Sequence, residues 1–141
     1  MKPFVVFFTV MWTLAAHSAR AAPTPEHAAA CVAALQLDAQ RLAQQLRGGR
    51  VEIEPELMRR LEQGYAFIGV AYKHGLAQAE ADRLLKAAEK AQASLPVAEM
   101  KARQAACAAE GYALLKNAST LERSFVSRAA QRRVDKLKNP G

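Results

Sequence analysis

The stretch PEHAAACVAALQLDAQRLAQQLRGG, Pro25 to Gly49, decides the fold of this chain. Thr24 can cap a helix, Pro25 suits the first turn, and two glycines provide a stop signal. The apolar residues recur every three to four positions, as one face of an α-helix requires. This inward stripe consists of Cys31, Leu35, Ala39, Leu42 and Leu46. We therefore predict a helix from about Pro25 to Arg47 with Cys31 on its core-facing side.

Four further helices are delimited by the same kinds of signal. Their predicted ranges are about 55–75, 77–94, 96–116 and 120–138. The last begins at STLE, a capping box in which Ser119 is the cap and Glu122 lies three positions later. Alanine-rich segments separated by Pro and Gly are typical of helical bundles. We predict an all-α fold, in which residues 22–141 form one domain, a small bundle of about five helices.

The chain begins with a segment typical of an export signal. Lys2 supplies positive charge, Phe4 to Ala16 are uncharged, and Ala19-Arg20-Ala21 has the small-x-small pattern of a cleavage site. The apolar run is shorter than the roughly 18 residues that a membrane-spanning helix needs. We expect residues 1–21 to be a cleaved signal peptide and the mature chain to be periplasmic, with no transmembrane segment.

Three uses compete for the two cysteines, Cys31 and Cys107. A lipid anchor is disfavoured because Cys31 lies well beyond the apolar segment and lacks the usual preceding leucine. Zinc is disfavoured because a closed site takes four ligands, and the soft donors of the mature chain are these cysteines, His27 and His74. Both cysteines fall on inward stripes, and two cysteines in an exported protein favour one disulfide. We predict a Cys31–Cys107 disulfide and no metal site.

The sequence offers little reaction chemistry. It contains no Cys-x-x-Cys, haem-attachment, phosphate-loop or His-Glu-x-x-His motif, and we predict no catalytic residue and no cofactor. Acidic residues crowd EIEPE, 52–56, where the dipole of the following helix explains them without a bound cation. Haem held noncovalently between His74 and either Met58 or Met100 is the alternative from another functional class.

The excess charge of the mature chain lies in its last helix. Residues 22–122 contain 12 Lys and Arg and 12 Asp and Glu, whereas residues 123–141 contain six basic residues and only Asp135 as an acid. The basic residues predicted to bind an anionic partner are Arg128, Arg132, Arg133 and Lys136. Each basic residue near an anionic membrane contributes about 1 kcal/mol of attraction. Export and the lack of interleaved aromatic residues argue against nucleic acid, and a solvated face is the alternative.

The least polar stretch of the mature chain is GYAFIGVAY, Gly64 to Tyr72. On a helical wheel the residues Leu61, Tyr65, Ile68 and Tyr72 cover one side. Phe67 and Val70 lie off that side, so the apolar arc is wider than one core face needs. We predict a central helix packed on two sides, with an apolar partner face at Phe67 and Val70 as the alternative.

These features together predict an exported helical protein that acts by binding rather than by catalysis. Its expected partner is an envelope protein or an anionic membrane surface. The overall plan, a short exported helical chain with one cysteine pair, resembles that of small bacterial periplasmic proteins. Among these are immunity proteins that neutralise envelope-directed toxins, and small stress chaperones. An immunity or inhibitor function is therefore the alternative within the same class.

Overall fold

Five α-helices, and no strands, account for the regular structure of residues 21–141, which are the residues described by the computed structural model. The helices are α1 (Pro25–Arg47), α2 (Glu54–Lys73), α3 (Gln78–Gln92), α4 (Val97–Asn117) and α5 (Thr120–Lys138). A short 3-10 turn, Val51–Ile53, precedes α2. The predicted all-α bundle is confirmed, whereas the predicted signal peptide lies, except for Ala21, outside the described residues. No helix within residues 21–141 is long and apolar enough to cross a membrane.

The local signals in the sequence set the ends of the helices. The Thr24 hydroxyl accepts a hydrogen bond from the His27 amide at the start of α1. Gly49 and Gly75 lie just after the last turns of α1 and α2. Their φ values of 101° and 87° favour glycine over other residues. At α5 the predicted capping box is present, with the Ser119 amide 2.7 Å from a Glu122 carboxylate oxygen.

Helix α2 packs against α1, α4 and α5, whereas α1 packs against all four other helices. The side chains of Leu57 and Phe67 are fully buried, whereas Tyr72 of the predicted inward stripe is 43% exposed. The wide apolar arc of α2 is thus packed on more than one side. Phe67 cannot form an exposed partner face, because it lies inside the core between packed helices. Val70 is half-buried and lies at the surface.

The core divides into two clusters along α1. The first, which we call the disulfide cluster, contains Ala28, Cys31, Ala34, Leu35, Phe67, Met100, Cys107 and Ala108. The second, which we call the α5 cluster, contains Ala39, Leu42, Ala43, Leu46, Ile53, Leu57 and Val134. All five residues of the predicted α1 stripe are buried. Helix α1 therefore connects the two clusters, as its long inward stripe requires.

The predicted disulfide joins Cys31 of α1 to Cys107 of α4. The two Cα atoms lie 5.2 Å apart, and the cysteines are separated by 76 residues in sequence. Both are buried, as their inward positions on α1 and α4 predicted. The bond fixes α4 against α1 at one end of the bundle.

Candidate functional site

A groove of about 500 Å³ lies between α1, α2 and α5. Its apolar lining includes Val32, Leu35, Leu61, Tyr65 and Ile68, and its basic lining is Arg60, Arg132, Arg133 and Lys136. We call it the basic groove. Its volume falls within the roughly 300–1,000 Å³ that is usual for small-molecule sites. No acidic side chain is among the residues that line it.

The angular position of each basic residue around the α5 axis determines whether it lines the groove. Val134 and Ala130 are buried and face the bundle, so the residues beside them border the groove. Ala129, Arg132, Arg133 and Lys136 follow the spacing i, i+3, i+4 and i+7 and share one side of the helix. At 3.6 residues per turn, Arg128 falls about 40° outside this arc.

Three of the four residues predicted to bind an anionic partner therefore line the basic groove. The fourth, Arg128, is exposed on α5 but is not part of the lining. The sequence placed Arg128 with Arg132 because they are four positions apart. Arg133, which was predicted as well, lines the groove with Arg132, because this side of α5 faces α2.

The groove cations of α5 have no acidic partner. Across residues 21–141, no ion pair engages the side chain of Arg132, Arg133 or Lys136. By contrast, Lys138 at the end of the same helix lies 2.9 Å from Glu54, and Lys73 lies 2.9 Å from Glu122. Three unpaired cations of α5 thus lie beside the apolar residues that line the basic groove.

Arg60 was not predicted from the sequence, and a buried carboxylate positions it. Its Nε donates to Asp38 Oδ2 at 2.7 Å, and its Nη1 donates to Gln63 at 3.1 Å. Asp38, whose side chain is only 6% exposed, also accepts from Arg41 at 2.7 Å. A signal for this network existed, because Asp38 lies three positions after the inward Leu35, and a buried carboxylate needs a cationic partner.

A second groove, of about 700 Å³, lies between α2, α4 and α5 and includes Val70. Both signs of charge line it, among them Lys73, Glu110 and Glu122. Phe125 at its edge is 61% exposed. Because Lys73 and Glu122 neutralise one another, this groove does not favour an anion in the way the basic groove does.

Potential metal ligands meet at the disulfide rather than at the acidic 52–56 stretch. His27 Nε2 lies 2.7 Å from Glu110 Oε2 and 3.7 Å from Cys31 Sγ. Glu110 was not predicted from the sequence, although its position three residues after Cys107 puts the two on one face of α4. The acidic residues of 52–56 are instead paired with cations, Glu52 with Arg50, Glu54 with Lys138 and Glu56 with Arg60.

Of the two alternative haem ligand pairs, His74 with Met58 does not match the fold, and His74 with Met100 stays a prediction. Met58 lies near the start of α2 and His74 directly follows its end, which separates the two by about 24 Å of helix at 1.5 Å per residue.

The basic groove is thus the arrangement with the clearest chemical preference. Arginine guanidinium groups bind phosphate and carboxylate oxygens in pairs, and a lysine adds a point charge. The adjoining side chains of Leu61, Tyr65 and Ile68 offer a half-buried apolar surface. Such a groove suits an anionic group that carries an apolar tail. No protein-family model, curated protein or solved structure matches this chain.

Proposed function

We propose that this is an exported, noncatalytic binding protein whose basic groove takes an anionic amphiphile of an envelope membrane. One observation carries the proposal: the unpaired cations Arg132, Arg133 and Lys136 share a groove with half-buried apolar residues of α2. Arg132 and Lys136 are exposed and Arg133 is half-buried. Here they stand beside apolar surface that an acyl chain can cover.

The electrostatics favour a bound anion. Three like charges on one arc of α5 repel one another, and an anion between them removes that repulsion. At about 1 kcal/mol per basic residue, the three together contribute about 3 kcal/mol, or on the order of 100-fold in affinity. An apolar tail adds about 0.8 kcal/mol for each methylene that it buries.

The periplasmic location belongs to this proposal and has separate support. The Cys31–Cys107 disulfide joins buried residues, and disulfides of this kind persist in oxidising compartments. The N-terminal segment of the sequence has the pattern of an export signal. A protein with these properties meets anionic lipid at the membrane surfaces that enclose its compartment.

The test compares two triple variants of equal charge. The groove variant replaces Arg132, Arg133 and Lys136 by Gln, and the control variant replaces the exposed residues Arg128, Lys86 and Lys90 by Gln. Binding is measured to vesicles of phosphatidylglycerol and, as the neutral reference, of phosphatidylcholine. We expect the groove variant to bind phosphatidylglycerol on the order of 100-fold more weakly than the native protein. The control should stay close to the native value, and native binding should fade as salt rises.

A second measurement separates the amphiphile from a simple anion or an acidic protein segment. Alkyl phosphates of increasing chain length should bind about fourfold more tightly per added methylene until the apolar lining is covered. Inorganic phosphate should compete only weakly. Equal losses in the two triple variants, or an affinity independent of chain length, would refute the proposal. Preferential binding of an acidic peptide would instead support the immunity or inhibitor alternative.

A further inference from the structure

Three side chains, those of His27, Cys31 and Glu110, have their metal-binding atoms within 4.8 Å of one another where α1 packs against α4, and the disulfide joins Cys107 to this group. Helix α1 supplies His27 and Cys31, four positions apart, and α4 supplies Cys107 and Glu110, three positions apart. Both spacings place the two residues on one face of their helix. The two faces meet at the disulfide, so each helix brings one sulfur and one further donor to the same point.

We propose that reduction of the Cys31–Cys107 disulfide turns this cluster into a four-ligand zinc site. The ligands are the two thiolates, the His27 Nε2 atom and a Glu110 carboxylate oxygen. This inference is independent of the proposed amphiphile binding, because the cluster and the basic groove share no lining residue. Among the soft donors of the sequence the fourth ligand would be His74, whereas in the structure the Glu110 carboxylate lies beside His27 and Cys31.

The distances are close to those of a tetrahedral site. Zinc bonds of about 2.0–2.3 Å place neighbouring ligand atoms about 3.4–3.8 Å apart. Cys31 Sγ and His27 Nε2 are already 3.7 Å apart. His27 Nε2 and Glu110 Oε2, at 2.7 Å, need to separate by less than 1 Å, which side-chain rotation on the surface allows. The sulfur atoms separate when their bond is broken, and the Cα distance of 5.2 Å keeps both within reach of one ion.

The burial of the four ligands matches a metal site with a route of entry. Both cysteines are buried, whereas the side chains of His27 and Glu110 are 50% and 35% exposed. An ion therefore reaches the imidazole and the carboxylate first, and the thiolates close the site from the core side. Two thiolates and an imidazole favour zinc over magnesium or calcium, which prefer oxygen ligands.

The chemistry balances in two steps. A phosphine reductant takes the disulfide to two thiols, and with one water molecule it is oxidised to the phosphine oxide. One Zn²⁺ then replaces the two thiol protons, which are released to solvent. Metal and disulfide exclude one another because both use the Cys31 and Cys107 sulfurs. In either state α1 and α4 remain cross-linked, so the zinc form preserves the contact that the disulfide makes.

The test uses the full mature chain and Co²⁺ as a visible probe of tetrahedral thiolate ligation. Phosphine-reduced protein should bind one equivalent of Co²⁺ with thiolate-to-metal charge-transfer absorption, and one equivalent of Zn²⁺ should displace it. Oxidised protein should show no such absorption. His27→Ala and Glu110→Gln should each weaken binding on the order of 100-fold, because each removes about a quarter of the free energy of a four-ligand zinc site. His74→Ala is the matched control and should bind as the native protein does.

Folding is followed in the same samples by circular dichroism. The His27 and Glu110 variants keep the disulfide when oxidised, so their helicity can be checked before reduction. If the reduced chain loses helicity, one equivalent of Zn²⁺ should restore it. Reduced protein that neither shows the absorption nor refolds with Zn²⁺ would overturn the proposal. Equal affinities of the His27 and His74 variants would also overturn it, whatever the result of the vesicle measurements.

Discussion

The two clusters of the core are held together in different ways. In the disulfide cluster a covalent bond fixes α1 to α4. In the α5 cluster the last helix is held by the packing of Val134 and by surface contacts, among them the Arg47 guanidinium 2.7 Å from the Leu137 carbonyl oxygen. The basic groove is bordered by α5. Leu35 of the disulfide cluster also lines the groove, which therefore spans both clusters, and the α5 side of the groove is held by noncovalent packing.

This difference separates two sources of stability. A disulfide stabilises mainly by restricting the unfolded chain, whereas a packed side chain stabilises the folded state directly. Loss of the disulfide should thus lower the free energy of unfolding while leaving the folded groove unchanged. Loss of packing in the α5 cluster should lower stability and also weaken binding in the groove.

The largest effect is expected from the disulfide. The disulfide closes a loop between Cys31 and Cys107, which are 76 residues apart in sequence. For a loop of that size the chain-entropy model gives a loss of about 4.5 kcal/mol. Urea unfolding of oxidised and reduced protein, with a chelator present to exclude metal, measures the difference. Cys107→Ser should cost a similar amount, and a loss below about 1 kcal/mol would contradict the assigned role of the disulfide.

In samples that remain folded after reduction, affinity for alkyl phosphates should match that of the oxidised protein. A parallel loss of affinity would show that the groove depends on the covalent end of the core after all.

The next largest effect is expected from Leu57, which is fully buried in the α5 cluster. Leu57→Ala should lower the free energy of unfolding by about 2–5 kcal/mol, since it removes apolar contacts and leaves a cavity. The matched control is Leu121→Ala, because Leu121 is 67% exposed, and its cost should stay within about 0.5 kcal/mol. Urea unfolding and alkyl phosphate titration should both report a loss for Leu57→Ala. If Leu57→Ala lowers the free energy of unfolding but leaves alkyl phosphate affinity unchanged, the groove does not depend on packing in the α5 cluster.

A smaller effect is expected where α4 approaches α2. A Cβ atom added at Gly111 would lie 2.8 Å from the Gln63 carbonyl oxygen, which is backbone and cannot rotate away. Gly111→Ala should therefore destabilise by about 1–3 kcal/mol, despite the better helix propensity of alanine. Gly69 of α2 has no atom within 4 Å of such a Cβ, so Gly69→Ala should stabilise by about 0.5–1 kcal/mol. Thermal unfolding measures both, and the same sign for the two changes would contradict the close approach.

The helices were predictable because their signals are local. Thr24, Pro25 and the paired glycines define α1 within a few residues of each end, and the capping box does the same for α5. The inward stripe of α1 was also predictable, because its apolar residues recur at helical spacing, and all five of them are buried. Each of these features depends on residues that are adjacent in sequence.

The orientation of α2 and the composition of the groove were not predictable in the same way. Helix α2 packs against three other helices, so its buried residues do not form the single stripe that a surface helix shows. Arg60 joins the groove because Asp38 of another helix holds it there. Glu110 joins His27 only because the disulfide brings α4 against α1. These features depend on contacts between distant residues, which periodicity does not report.

The smallest expected effect is a pH dependence at the start of α5. Hydrogen bonding to the Ser119 backbone amide, aided by Lys73, lowers the pKa of Glu122 to about 2. Because this pKa is below the value of about 4.3 usual for an unfolded chain, ionised Glu122 stabilises the fold at neutral pH. That contribution declines as pH falls below about 4.3 and is lost near the folded pKa.

Glu122→Gln should therefore lower the melting temperature at neutral pH and have almost no effect near pH 2, where native Glu122 becomes protonated. Lys73→Gln sharpens the assignment. The Ser119 amide is the larger cause of the lowered pKa, so this variant should retain most of the native pH dependence. Melting curves of the three proteins across the acid range measure the effect. A difference between native protein and Glu122→Gln that stays constant with pH would contradict the capping box as its source. Complete loss of the pH dependence in Lys73→Gln would assign it instead to the ion pair between α2 and α5, and α5 would then depend on surface charge as well as on Val134.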